Sequence, residues 1–83
     1  LKIDRQFVIP VLGSPELRRL VASIVEIGRS LGIEVVAEGV ETMDHARVLR
    51  DIGCDILQGY AFGQPMPVHE LELFVANRQR KAS

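Results

Sequence analysis

Leu17, Leu20, Val21, Ile24, Ile27 and Leu31 recur at intervals of three and four residues, the spacing of one face of an α-helix. Arg18, Arg19, Glu26 and Arg29 fall largely on the other side. Ser14 is suited to cap this helix, and Pro15 to occupy its first position, where a missing N–H costs nothing. Gly32 suits its end. The pattern therefore predicts an amphipathic helix over 15–31. The next run, Ile33-Glu34-Val35-Val36-Ala37, is short and β-branched and reads as a buried strand of a parallel sheet. Glu38-Gly39-Val40-Glu41 ends it. Thr42 then caps a second predicted helix over 43–52, with Met43, Ala46, Leu49 and Ile52 at helical spacing and Gly53 closing it. Asp55-Ile56-Leu57-Gln58 is a third strand candidate, after the opening Leu1-Lys2-Ile3-Asp4, which reads as the end of a strand. Residues 59–67 carry glycine and proline breaks and read as a loop. A last helix is expected over 68–77, burying Leu71, Phe74 and Val75.

Strand, helix, strand, helix, strand, helix is the order of βα units with right-handed crossovers and a parallel sheet. In such folds chemistry gathers at the carboxyl ends of the strands. Lys2, Asp4, Glu38, Glu41 and Gln58 all lie at or just past those ends, which makes them the candidate site residues.

Composition narrows the picture. With 47% hydrophobic and 25% charged residues the chain is globular rather than disordered. A lone cysteine, Cys54, excludes an internal disulfide and suits a reducing compartment. No Cys/His cluster has zinc spacing. Ten basic and eleven acidic residues give a net charge of −1, against the basic patch of a nucleic-acid binder, so no DNA partner is expected. The basic run Arg78-Gln79-Arg80-Lys81 reads as part of a polar, frayed tail over 78–83. No apolar run approaches the roughly 20 residues needed to span a bilayer, and no signal peptide precedes Leu1, so a cytoplasmic location is expected. Eighty-three residues make only a marginal core, which points to association or to a part of a larger domain.

Two carboxylates around a glycine at a strand exit, Glu38 and Glu41, suit a divalent cation such as Mg²⁺ or acid–base work. They equally suit a solvated loop in which Glu41 favours the following helix N-terminus. Lys2 near a strand end can stabilise negative charge in a phosphoryl transition state or simply be solvated. Gln58, if buried, needs hydrogen-bond partners, structural or ligand-borne. Asp4 can pair with Lys2 or cap a turn. Asp55 enters a strand and carries no chemistry. His45 and His69 have no metal-spaced partner and read as solvated or locally bonded; Cys54 reads as a small buried residue. There is no Gly-rich phosphate loop and no nucleophile elbow.

Taken in order, Leu1-Lys2-Ile3-Asp4, Val36-Ala37-Glu38-Gly39-Val40-Glu41-Thr42, Gly53-Cys54-Asp55, Gln58-Gly59-Tyr60, Phe62, Pro65 and Pro67 resemble the C-terminal section of the EAL family of cyclic di-GMP phosphodiesterases. The resemblance covers the chain to about Asn77. It implies a (β/α)₈ barrel of TIM type, of which this chain is the last three βα units, an incomplete barrel with parallel strands. It implies hydrolysis of cyclic di-GMP to the linear dinucleotide with Mg²⁺ or Mn²⁺. By that resemblance Lys2 sits beside the attacking water and the phosphate, and Glu38 binds metal or assists the water. Glu41 orients the site loop, while Gln58 and Asp4 line the site.

The Glu-Ala-Leu signature, the upstream Asn and Glu metal ligands and the Asp-Asp pair of the family are absent from the chain. A two-metal site needs more carboxylates than remain, so the isolated chain is expected to be inactive. A bare sheet face and open strand edges predict a partner: a second copy, or the N-terminal remainder of a barrel. The alternative is a degenerate module that binds nucleotide or self-associates without catalysis.

Overall fold

A computed structural model describes residues 1–82; Ser83 lies outside the described residues. Four strands, β1 (Lys2–Ile3), β2 (Val36–Glu38), β3 (Ile56–Gln58) and β4 (Met66–Pro67), form one sheet in sequence order. The helices are α1 (Arg5–Val8), α2 (Pro15–Leu31), α3 (Met43–Ile52) and α4 (Leu71–Ala82), with 3-10 turns at Ile9–Leu12 and Val68–Glu70. β1, β2 and β3 are parallel, in the register Ile3 to Ala37 to Leu57.

The helices α2 and α3 begin and end where the pattern predicts. Ser14 Oγ accepts the Leu17 N–H at 3.2 Å and Thr42 Oγ1 accepts the His45 N–H at 3.1 Å, each satisfying an otherwise orphaned donor. Gly32 and Gly53 close them with φ of 67° and 115°, conformations that cost a side chain dearly.

The buried face of α2 differs from the expected stripe. Val21, Val25 and Gly28 meet the core, while Leu20, Ile27 and Leu31 are 43%, 57% and 65% exposed. Close approach decides this. A Cβ on Gly28 would lie 2.5 Å from Val35 Cγ2 and 3.3 Å from the Ile33 carbonyl, so the helix packs closest along the face of Val21, Val25 and Gly28. The larger apolar residues are left on the flank.

Strand limits also move. Ile33 and Glu34 are exposed and outside the ladder: the Ile33 N–H is taken by the Gly28 carbonyl at 2.8 Å, extending the helix cap. Pairing begins only where Val36 N donates to Leu1 O at 2.8 Å. Two elements were not anticipated. Asp4 Oδ1 accepts the Gln6 N–H at 2.9 Å and caps the single turn α1, too short to leave a periodic signal. Met66–Pro67 pairs antiparallel with β3, Leu57 opposite Met66, inside the stretch read as a loop. The sheet is thus parallel with one antiparallel edge, where proline's missing N–H is tolerated.

The expected final helix over 68–77 is corrected at both ends. Val68–Glu70 is a 3-10 turn, and α4 continues past Asn77 through Arg78 to Ala82, where a tail was expected. Phe62 packs edge-on against Phe74 at 5.1 Å between ring centroids, and Arg78 lies over the Phe74 ring at 5.8 Å. These contacts extend from the core into the helix's second half.

The core lies between the sheet and the helices. Ile3, Ala37 and Leu57 form its sheet row, and Val21, Val25, Ala46, Leu49 and Leu71 cover them. Each such buried Val or Leu side chain contributes about 1.5–3 kcal/mol. No helix among the described residues is long and apolar enough to cross a membrane.

Candidate functional site

Side chains alternate across a strand, so the register sorts them by face. The row Ile3, Ala37, Leu57 is almost wholly buried against the helices. The residues flanking that row belong to the opposite face. One flank is Lys2, Val36 and Ile56; the other, at the carboxyl ends, is Glu38 directly paired with Gln58. Lys2, Glu38 and Gln58 therefore share the sheet face that carries no helix, with Lys2 one layer below the other two. Lys2 is exposed; Glu38 and Gln58 are half-buried.

Asp4 lies at the end of the same edge strand, but its carboxylate is engaged in capping α1. Glu41 is exposed, in the loop between β2 and α3. Among the described residues the side chains of Lys2, Glu38, Glu41 and Gln58 make no hydrogen bond or ion pair. The polar end of the sheet is therefore open to an outside partner.

The loops after β2 and β3 are held by backbone contact. Val40 N donates to Gln58 O at 3.0 Å, and Ala61 N to Val40 O at 3.3 Å. Gly59 permits this, because any Cβ there would collide with the Val40 backbone. Gly39, at φ 77°, lies against Arg5, whose Cα would be 3.1 Å from an added Cβ. The result is a pocket of about 290 Å³ bringing Glu41 and Gln58 together with Arg5, Tyr60 and Gln64. Lys2, Asp4 and Glu38 do not line it. Arg5, Tyr60 and Gln64 escaped the sequence reading. Arg5 follows the strand-end tetrapeptide immediately, but only folding reveals that Gly39 lies against it.

His45 supplies a second tie. It is 7% exposed, with Nε2 2.8 Å from the Ile9 carbonyl and Nδ1 2.6 Å from Thr42 Oγ1. A carbonyl only accepts, so Nε2 carries the proton and Nδ1 accepts from the threonine hydroxyl. The ring thus fastens the start of α3, next to Glu41, to the turn that follows β1 and α1. The expected local bond is present, together with one to a distant segment. Asp55 has a structural role: its Oδ2 accepts the Val35 N–H at 2.8 Å. Cys54 is buried, and its thiol pKa is pushed up to about 12 by burial and, secondarily, by the Asp55 charge.

Among the described residues no group of three or more His, Cys, Asp or Glu can hold a metal ion. Glu38 beside Gln58 offers one carboxylate and one amide oxygen, whereas Mg²⁺ demands near-octahedral oxygen coordination. The metal implied by the resemblance does not fit these residues by themselves.

A parallel sheet with helices on one face and polar residues at its carboxyl ends defines a βα segment of the α/β class, with its site side uncovered. The chain belongs to the EAL family, whose EAL domain model matches residues 1–65. It is similar to the probable cyclic di-GMP phosphodiesterase PdeD of Escherichia coli K12, 44% identical over 80 residues, covering 95% of this chain and 15% of that protein. It is 42% identical over 76 residues to the bifunctional diguanylate cyclase/cyclic di-GMP phosphodiesterase MucR of Pseudomonas aeruginosa, covering 92% of this chain and 11% of that protein. The MucR phosphodiesterase in complex with cyclic di-GMP superposes with a TM-score of 0.72, covering 86% of this chain and 29% of that one. The Klebsiella pneumoniae BlrP1 manganese and cyclic di-GMP complex gives 0.73 at 37% identity, over 81% of this chain and 17% of that one. The chain thus spans about a tenth of the curated relatives it first matches, 9% of two of them and 15% of a third.

Proposed function

We propose that this chain is one side of a cyclic di-GMP phosphodiesterase site, the last three βα units of a (β/α)₈ barrel. The observation that carries the reading is the shared sheet face of Lys2, Glu38 and Gln58, none of them internally partnered, in a chain whose relatives include the MucR phosphodiesterase bound to cyclic di-GMP. In this reading the Lys2 ammonium offsets charge building on the phosphoryl oxygens. The Glu38 carboxylate accepts a hydrogen bond from the attacking water, and the Gln58 amide fixes the neighbouring solvent or phosphate oxygen. Asp4 holds α1, and with it the loop beside Lys2. Glu41 belongs to the loop that the resemblance assigns it to orient. Mg²⁺ or Mn²⁺ would need carboxylates from outside these residues, so the isolated chain does not turn over. A cytoplasmic location in a bacterium goes with this reading.

Two assays test it. The isolated chain, incubated with Mn²⁺ and cyclic di-GMP, should yield no linear dinucleotide; metal-dependent turnover would show the chain to be complete in itself. Residues 1–65 should also replace the matching segment of MucR with hydrolysis retained. In that chimera Lys2→Ala should lower kcat about a hundredfold or more. A folded but inactive chimera would remove the assignment of these residues to the reaction.

A second reading, self-association without catalysis, is favoured by one observation. The exposed Leu20, Ile27 and Leu31 lie with Ile24 at alternating four-, three- and four-residue spacing along α2, a seam suited to pairing with another helix.

A further inference from the structure

We infer that His45 is a positioning residue for this site: it sets the spacing between the loop that carries Glu41 and the segment that follows Lys2. The inference rests on the reading above and deepens it, because it concerns the alignment of the same polar row.

The loop, residues 39–42, leaves β2 directly after Glu38 and ends at Thr42, the cap of α3. On the β3 side backbone groups hold it: Val40 donates to the Gln58 carbonyl at 3.0 Å and accepts from Ala61 at 3.3 Å. On the β1 side two contacts of opposite kind act. Gly39 already lies against Arg5, so the loop can come no closer. That contact repels and cannot pull. The pull comes from His45, whose Nε2–H donates to the Ile9 carbonyl at 2.8 Å. A steric wall at one point and a hydrogen bond at another fix a spacing that neither fixes alone.

Both ends of this bond are themselves held. Phe7 and Val8 donate to the Asp4 carbonyl at 3.0 and 3.3 Å, and Asp4 directly follows β1. Arg18 reaches from α2 to the Val11 and Leu12 carbonyls at 2.6 and 2.9 Å. Ile9 lies between these anchors. At the other end Thr42 Oγ1 accepts the His45 N–H at 3.1 Å and donates to Nδ1 at 2.6 Å. The cap that starts α3 therefore also orients the ring. The position needs one donor and one acceptor on a single side chain, and neutral imidazole supplies both. Rates of positioned reactions depend steeply on such spacings, a shift of about 1 Å costing up to about a hundredfold.

The chimera that carries residues 1–65 in place of the matching MucR segment tests the role in turnover. His45→Ala should lower kcat about tenfold while KM for cyclic di-GMP stays within about twofold. His45→Gln, which keeps a donor and an acceptor, should recover at least half of that loss. Val21→Ala, in the core under α2, is the control for lost stability and should leave kcat within about twofold. A kcat lowered no more by His45→Ala than by Val21→Ala, or a glutamine variant as slow as the alanine one, would overturn the inference. Amide exchange in the isolated chain supplies a readout without turnover. His45→Ala should speed Val40 and Val8, one on each side of the tie, about tenfold more than Ile56, whose N–H donates to the Val35 carbonyl at 3.2 Å. Val21→Ala should move all three alike. Uniform acceleration by His45→Ala would also overturn the inference. If the chimera folds but is inactive while the unequal exchange is seen, the phosphodiesterase reading fails and the positioning of the loop stands.

Discussion

Replacing His45 by alanine removes the hydrogen-bonded tie between the start of α3 and the turn after α1. Two hydrogen bonds go: Nε2–H to the Ile9 carbonyl at 2.8 Å, and the Thr42 hydroxyl to Nδ1 at 2.6 Å. At about 0.5–1.5 kcal/mol net for each, they account for roughly 1–3 kcal/mol. The ring is 7% exposed, so its loss also leaves a hole among packed neighbours, and the total reaches about 2–4 kcal/mol. A chain of 83 residues is expected to hold only about 4–12 kcal/mol. His45→Ala should therefore lower the thermal midpoint by about 8–32 °C, at roughly 4–8 °C per kcal/mol for a domain of this size. Urea titration followed by far-UV circular dichroism should show a lower midpoint at unchanged slope. His45→Gln, whose amide can still donate and accept, should recover part of the loss. Long-range ¹H–¹⁵N spectra of the parent should show the Nε2–H tautomer. A His45→Ala change below about 0.5 kcal/mol, the size of an ordinary surface substitution, would refute the tie. An Nδ1–H tautomer would refute the hydrogen-bond assignment.

Other expected outcomes follow from the same contacts. Gly39→Ala places a methyl against Arg5 at φ 77°, so it should destabilise by about 1–3 kcal/mol and shift the Arg5 resonances; an unchanged denaturation midpoint would count against that close approach. The Cys54 thiol, held near a pKa of about 12, should resist thiol reagents at pH 8 until the chain unfolds, so labelling should rise with denaturant alongside loss of structure. Because this folded pKa lies above the ordinary thiol value of 9.0, its contribution to stability is complete below pH 9 and is lost as pH rises from there towards 12. Fast labelling of native protein at pH 8 would contradict the burial. For the α2 seam, sedimentation should show a dimer or larger species that Ile27→Lys with Leu31→Lys converts to monomer; a monomeric parent would dismiss self-association through this helix.

Much of this fold was legible because its helices announce themselves locally. Ser14-Pro15 and Thr42 cap, Gly32 and Gly53 terminate, and the apolar spacing between them leaves little choice. What failed was everything decided by contact at a distance. The stripe on α2 is broad enough to offer several buried faces, and Gly28 against Val35 selected one of them. Ile33 has the composition of a strand residue, yet its N–H is claimed by the preceding helix. α1 is one turn long and rests on a single aspartate cap, and β4 exists only because Met66 meets Leu57. The site divides in the same way. Strand-end placement anticipated that Lys2, Glu38 and Gln58 share one sheet face, since alternation and register follow from the strands themselves. The pocket lined by Arg5 and Tyr60 was not legible, because it depends on the approach of Gly39 and Gly59 to segments remote in sequence.

On the proposed reading, that division explains how one side of a site stays defined on three parallel strands. The helix-covered row Ile3, Ala37, Leu57 holds the strands in register from one face alone. The opposite face contributes little to that register, so its polar residues are free to be chosen for an external partner. The loops above it are fixed by backbone hydrogen bonds at Val40 and by the His45 ring, groups that need nothing from the remainder of a barrel. Catalysis differs in kind. A divalent cation requires oxygen ligands converging from several strands at once, more than the paired Glu38 and Gln58 offer. On the proposed reading the loop geometry is local to these residues, whereas hydrolysis draws on ligands beyond them. A folded chain that does not turn over cyclic di-GMP is therefore the combination that the proposed reading, with its partition of the two sheet faces, requires.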